Sequence, residues 1–171
     1  MSERSNSFFR YLAYALELIL TFVLSTTPGL MPEIFGAKPA LVVCVALTVA
    51  VFEREIPAMI IGLTAGILTD LGFTDSIGIF TISLTIICFV VGYAANNLIV
   101  AKFFNYVFYA FAAVGILFMV YFLVIFVIPG TAHMWDYFSA HIISRMVQTF
   151  LYSIPFYFIN HFIYSTLSPE A

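Results

Sequence analysis

The chain is 171 residues long, 63% hydrophobic and only 9% charged, with a net charge of −3 and a mean hydropathy of +1.09. A soluble domain carries about 25% charged residues, so this chain cannot cover itself with polar surface and lipid must be its solvent. The weak net charge gives no footing for a nucleic-acid partner, and the apolar segments leave no room for a soluble domain. Composition therefore implies one all-α integral membrane domain over residues 1–171, and its 20 Phe and 10 Tyr suit both a lipid-facing wall and the headgroup belts.

A full span needs about 17–25 residues. The first candidate covers residues 9–27 and is closed by Pro28 and Gly29. Arg4 and Arg10 before an apolar run have the look of a signal peptide, but Glu17 interrupts the run and no clean small-x-small cleavage site follows, so it reads as a retained span. The second, "PALVVCVALTVAVF" over residues 39–52, opens at Pro39, a natural first-turn residue. Glu53, Arg54 and Glu55 then form a polar corner before the third segment, residues 57–72. Both are short, which predicts thinning, tilt or a bent path through protein. Asp75 and Ser76 are good N-caps for a fourth helix, residues 77–100. A polar break at Asn96, Asn97 and Lys102 leads to the fifth, residues 103–128, stopped by Pro129 and Gly130. The loop "PGTAHMWDYFSAH" precedes the sixth, residues 142–164. Six transmembrane helices result. Arg4, Arg10, Arg54 and Lys102 fall on one side, and Lys38, with Arg145 near it, on the other, which predicts both termini in the cytoplasm. No internal repeat supports a duplicated transporter architecture.

Ionisable residues inside a span cost about 2.5–3.5 kcal/mol at the helix centre and usually face protein or water. Glu17, Asp70 and Arg145 are such residues. At 1.5 Å per residue from Pro57, Asp70 lies roughly 20 Å across a core of about 30 Å. That is near the outer interface, at a depth similar to that of Arg145. Either the two pair, or Asp70 points into outer water and Arg145 snorkels. Glu17 has no helical neighbour of opposite sign. It is either a proton-coupled or ligand-binding group, or a carboxyl hydrogen-bonded within the bundle.

Gly62, Gly66 and Asp70 share one stripe of the third helix. With Ala58 and Ala65, the glycines let a neighbour approach closely. Gly72 fits a helix C-cap. Cys44 and Cys88 lie in apolar runs and read as small buried hydrophobes. His133 and His141, with Asp136 between them, read as solvated loop residues rather than metal ligands, and His161 sits near the inner end of the sixth helix. No nucleotide-binding loop, nucleophile elbow, HExxH or paired acid/base carboxylates occur. The chain is not expected to be an enzyme or to hold a cofactor or metal.

The run "GLTAGILTDLGFTDSIG", Gly78 after its turn, the Gly92–Tyr93 pair and a sixth helix with Arg145 and Pro155 together resemble the MreD family of bacterial rod shape-determining membrane proteins. The Glu53–Arg54–Glu55 corner and the aromatic fifth helix have no counterpart in that pattern. The resemblance implies a non-enzymatic component of the cell-wall elongation machinery in the bacterial cytoplasmic membrane. Its partner would be an MreC-like single-span protein, acting alongside MreB, RodA and a class B penicillin-binding protein. It also implies a fold resembling the substrate-binding subunits of energy-coupling-factor transporters. Gly62, Gly66, Asp70, Gly78 and Arg145 carry over as candidates for helix packing and for an outer rim that a partner contacts. The alternative function is a vitamin-binding transporter subunit, with Trp135, Asp136, Tyr137, Asp70 and Arg145 around an outer pocket.

Overall fold

A computed structural model describes residues 2–27, 29, 38–73, 78–97, 103–128 and 138–167. Six α-helices account for most of them: α1 (Ser2–Thr26), α2 (Leu41–Phe52), α3 (Glu55–Phe73), α4 (Ile79–Asn97), α5 (Phe103–Phe122) and α6 (Ile143–Leu167). There is no strand among the described residues. A π-helical turn, Leu123–Val127, prolongs α5, and another, Phe138–Ile142, leads into α6.

The helices are arranged as five around one. Every residue of α2 is buried, and the helix packs against each of the other five. Those five close a ring in the order α1, α3, α4, α5, α6 and back to α1. The sequence dictates this centre: α2 is apolar all round, and such a helix belongs inside a bundle. Its twelve residues rise only about 18 Å, well short of a hydrocarbon core of about 30 Å. Of the paths expected for this short segment, the one through protein is realised.

Four helical stretches are long and apolar enough to cross a membrane: Ser7–Thr26, Glu55–Gly72, Ile79–Asn97 and Phe103–Val127. They turn apolar side chains outward, as with Phe104, Phe108 and Phe111 on α5. Helix α6 has the length, at 25 residues, but carries more polar groups. Four of these, Gln148, Thr149, Ser153 and Asn160, are buried against the bundle rather than presented to lipid, as the cost of polar groups in hydrocarbon requires.

Several boundaries differ from the sequence reading. Helix α1 begins seven residues earlier than expected, at Ser2. Pro39 precedes α2 instead of opening it, and Pro57 takes the third position of α3. A proline is harmless there because the first four N–H groups of a helix have no intrahelical partner. Gly72 does not end α3, which continues to Phe73. A Cβ at Gly72 would stand 2.8 Å from Cε2 of Phe22, so this glycine admits α1. Pro155 lies inside α6 without ending it.

Candidate functional site

The α3–α4 seam is the closest helix packing among the described residues, and three glycines make it. A Cβ on Gly66 would fall 2.5 Å from the Thr81 Cα, and one on Gly62 would fall 2.7 Å from both the Cys88 Cβ and the Leu84 carbonyl oxygen. From the opposite side, Gly92 would bring a Cβ within 2.9 Å of the Ala58 Cβ. Gly62 and Gly66 thus face α4 within the same chain. Cys88, which the thiol reading left as an inert hydrophobe, is buried in this seam.

Asp70 completes the seam. Its side chain is buried at the end of α3, where it caps the helix that follows. Oδ2 accepts from the backbone N–H of Gly78 (3.0 Å) and of Thr81 (2.9 Å) and from the Thr81 hydroxyl (2.6 Å), while Oδ1 accepts from the Phe80 N–H (3.1 Å). A carboxylate set on the exposed N–H groups of a helix start also meets the positive end of its dipole. Gly78, at φ +108°, holds a backbone conformation that side chains resist, which lets the chain turn straight into α4. The expected caps Asp75 and Ser76 lie outside the described residues.

Arg145 stands at the same end, though not as an ion-pair partner of Asp70 among the described residues. Its guanidinium lies over the Phe118 ring, 5.8 Å from the centroid. Phe118 in turn meets the ring of Phe80 at 6.1 Å, edge to face. Asp70 and Arg145 are therefore joined through an aromatic pair, with Asp70 fixing the Phe80 backbone and Arg145 covering the Phe118 face. Trp135, Asp136, Tyr137 and His133, proposed for an outer pocket or loop, lie outside the described residues. His141 is exposed in the turn before α6.

Glu17 is held by hydrogen bonding across three helices. The Asn160 side-chain amide of α6 donates to Glu17 Oε1 (3.1 Å) and to the Thr48 hydroxyl of α2 (3.0 Å). Thr48 itself donates back to the Cys44 and Val45 carbonyls. Further along the α2–α6 contact, the Thr149 hydroxyl accepts the Ala40 N–H (3.1 Å), which the short α2 leaves at its start.

At the opposite end of the bundle from Asp70, the corner after α2 turns inward. Arg10 Nε and Glu53 Oε1 form a salt bridge of 2.8 Å with side chains only 10% and 4% exposed. The Tyr11 hydroxyl donates to Glu53 Oε2, Asn96 donates to the Glu53 carbonyl, and the Arg10 guanidinium lies over the Tyr164 ring at 5.4 Å. Burial pushes the Glu53 carboxyl above its ordinary value, and the charge of Arg10 pulls against that shift. Buried ion pairs are costly to break rather than strongly stabilising in themselves.

A family model described as rod shape-determining protein MreD matches residues 5–166, nearly the whole chain. The chain belongs to the MreD family. Neither a curated protein nor a solved structure matches it. Membership in the MreD family gives the protein a role in determining rod shape, and the span-length helices fit a multi-pass membrane protein. MreD is a shape-determining family rather than one of enzymes.

For an MreD-family chain, the residues that sequence reasoning missed are those that tie distant helices together. Asn160 carried a signal: an amide inside the apolar run "SIPFYFINHF" invites the same cost argument that singled out Glu17. Arg10 and Glu53 were each read locally, one as a topogenic charge and the other as part of a loop. Nothing in their spacing of 43 residues joins them.

Proposed function

We propose that this MreD-family protein is a non-enzymatic scaffold of the cell-wall elongation complex in the bacterial cytoplasmic membrane. It holds an MreC-like single-span protein, and through it acts with MreB, RodA and a class B penicillin-binding protein. The observation that carries this reading is the family match over residues 5–166. The packing gives it physical support. Asp70 is used in the construction of the α3–α4 end, where it caps α4 while the glycines close the seam, and a closely packed end of this kind is suited to holding a partner. In this reading the termini are cytoplasmic, and the rim around Gly78 and Arg145 faces the partner's outer part, while Gly62, Gly66 and Asp70 shape that rim from within.

The test is affinity purification from native membranes under mild detergent. Recovery of an MreC-like protein is the expected result. Recovery of an ATPase module and a bound water-soluble vitamin, with no MreC-like protein, would overturn the proposal in favour of a transporter subunit.

A further inference from the structure

We propose that the Arg10–Glu53 end of the bundle is a binding site for one zwitterionic glycerophospholipid of the phosphoethanolamine class, its headgroup in a polar vestibule and one acyl chain in the adjoining α1–α3 groove. The vestibule, about 470 Å³, opens where the short α2 stops, and its walls include Arg10, Glu53, Arg54, Glu55, Asn96 and Tyr164. The groove, about 460 Å³, is lined by Tyr14, Ala15, Leu18, Ile60, Ile61 and Thr64, and is almost wholly apolar. Tyr11 and Pro57 line both spaces. The two spaces therefore lie on either side of the same two side chains, close enough for one molecule to have its polar part in one and its hydrocarbon in the other. Both volumes fall in the range of about 300–1,000 Å³ typical of ligand sites.

Charge selects the headgroup. Among the described residues the vestibule contributes two arginines and two glutamates, so this part of the lining presents both signs in equal number. Arg10 and Glu53 neutralise each other in their salt bridge. Arg54 is exposed and Glu55 half-buried, and neither is in an ion pair with another described residue. A phosphate set on Arg54 leaves an ammonium beside Glu55, its neighbour in the chain, whereas a purely anionic headgroup would leave Glu55 without a counter-charge. Below them, Tyr14 is buried with its hydroxyl toward the Glu53 carboxylate. Its ring lines the groove and offers an acyl chain an apolar wall.

The full chain, purified in mild detergent, is examined by native mass spectrometry with added phosphatidylethanolamine, phosphatidylglycerol or soluble phosphoethanolamine. The expected result is one phosphatidylethanolamine per chain, held about tenfold more tightly than phosphatidylglycerol, the effect of one well-placed charge-assisted contact. Arg54→Glu, a change at an exposed residue, removes that preference, and Ala15→Trp, which fills the groove, removes retention. Ile82→Trp on the lipid-facing side of α4, where Ile82 is 64% exposed, leaves both intact. Equal retention of the two lipids, or retention unaffected by both Arg54→Glu and Ala15→Trp, identifies ordinary boundary lipid and overturns the proposal. It is overturned equally by soluble phosphoethanolamine competing as well as intact lipid, or by a co-purified transmembrane helix found in the groove in place of lipid.

Discussion

Asp70→Ala removes an acceptor on which four donors converge among the described residues, three of them backbone N–H groups at the start of α4. An ordinary N-cap is worth about 0.5–2 kcal/mol. Here the Phe80 N–H is buried, and an unsatisfied buried donor costs about 1–3 kcal/mol. The bonds from Gly78 and Thr81 are only part-buried, so water recovers some of their loss. The combined cost is about 3–4 kcal/mol, or roughly 10 °C in the unfolding temperature of a chain this size. Asp70→Asn separates the contributions: its amide oxygen can take the Oδ2 position and keep three of the four bonds, while its NH₂ confronts the Phe80 N–H. That variant should lose about half as much. Thermal unfolding in detergent measures the sizes, and hydrogen exchange at Phe80 and Thr81 locates them. An unchanged melting temperature and unchanged amide protection in Asp70→Ala would refute the capping argument. Rescue of Asp70→Arg by Arg145→Asp would refute it in another way, because it would make the ion pair the dominant interaction.

The remaining expectations concern other parts of the bundle. Gly66→Ala should destabilise by about 1–3 kcal/mol, because its Cβ meets the α4 backbone. Gly115→Ala, whose Cβ would meet nothing within 4 Å, should be close to neutral in the same unfolding assay. Glu53→Ala should cost about 3–5 kcal/mol by leaving Arg10 buried and unpaired, and combining it with Arg10→Leu should return part of that loss, as read by a double-mutant cycle. Asn160→Leu should cost about 1–3 kcal/mol by stripping Glu17 Oε1 and the Thr48 hydroxyl of their shared donor, and the loss should shrink in a Glu17→Leu background.

Apolar run length made the number and order of the helices legible, because each segment must satisfy its own backbone and bury or expose a mostly apolar surface. The glycine stripe of α3 was legible for the same reason, since GxxxG spacing has one steric meaning. Which neighbour the glycines admit was not legible, and α4 supplies the answer only in three dimensions. Local rules point to Asp75 and Ser76, which lie outside the described residues, as caps for α4; what those rules could not show is that the N–H groups of Phe80 and Thr81 are taken by a carboxylate ten and eleven residues back in the preceding helix. Capping from a packed neighbour follows no fixed spacing. The same limit hid the Arg10–Glu53 pair and the Asn160 bridge, which depend on where helices meet around α2 rather than on any motif.

The central place of α2 also bears on how the fold is made. A chain is synthesised in order, so the centre is laid down before α3, α4, α5 and α6, four of the five helices that enclose it. Until they arrive, the faces of α2 that they will cover have no partner within the chain. A conventional core helix with a polar interior face would be exposed to hydrocarbon during that interval, but the one polar side chain α2 carries, Thr48, is bonded to its own helix through the Cys44 and Val45 carbonyls. The uniform apolar surface that later fits the middle of the bundle is thus the surface that lets the segment wait in the membrane. Enclosure is complete when α6 arrives with Asn160, which reaches Thr48 and Glu17 together and joins the last helix to the first.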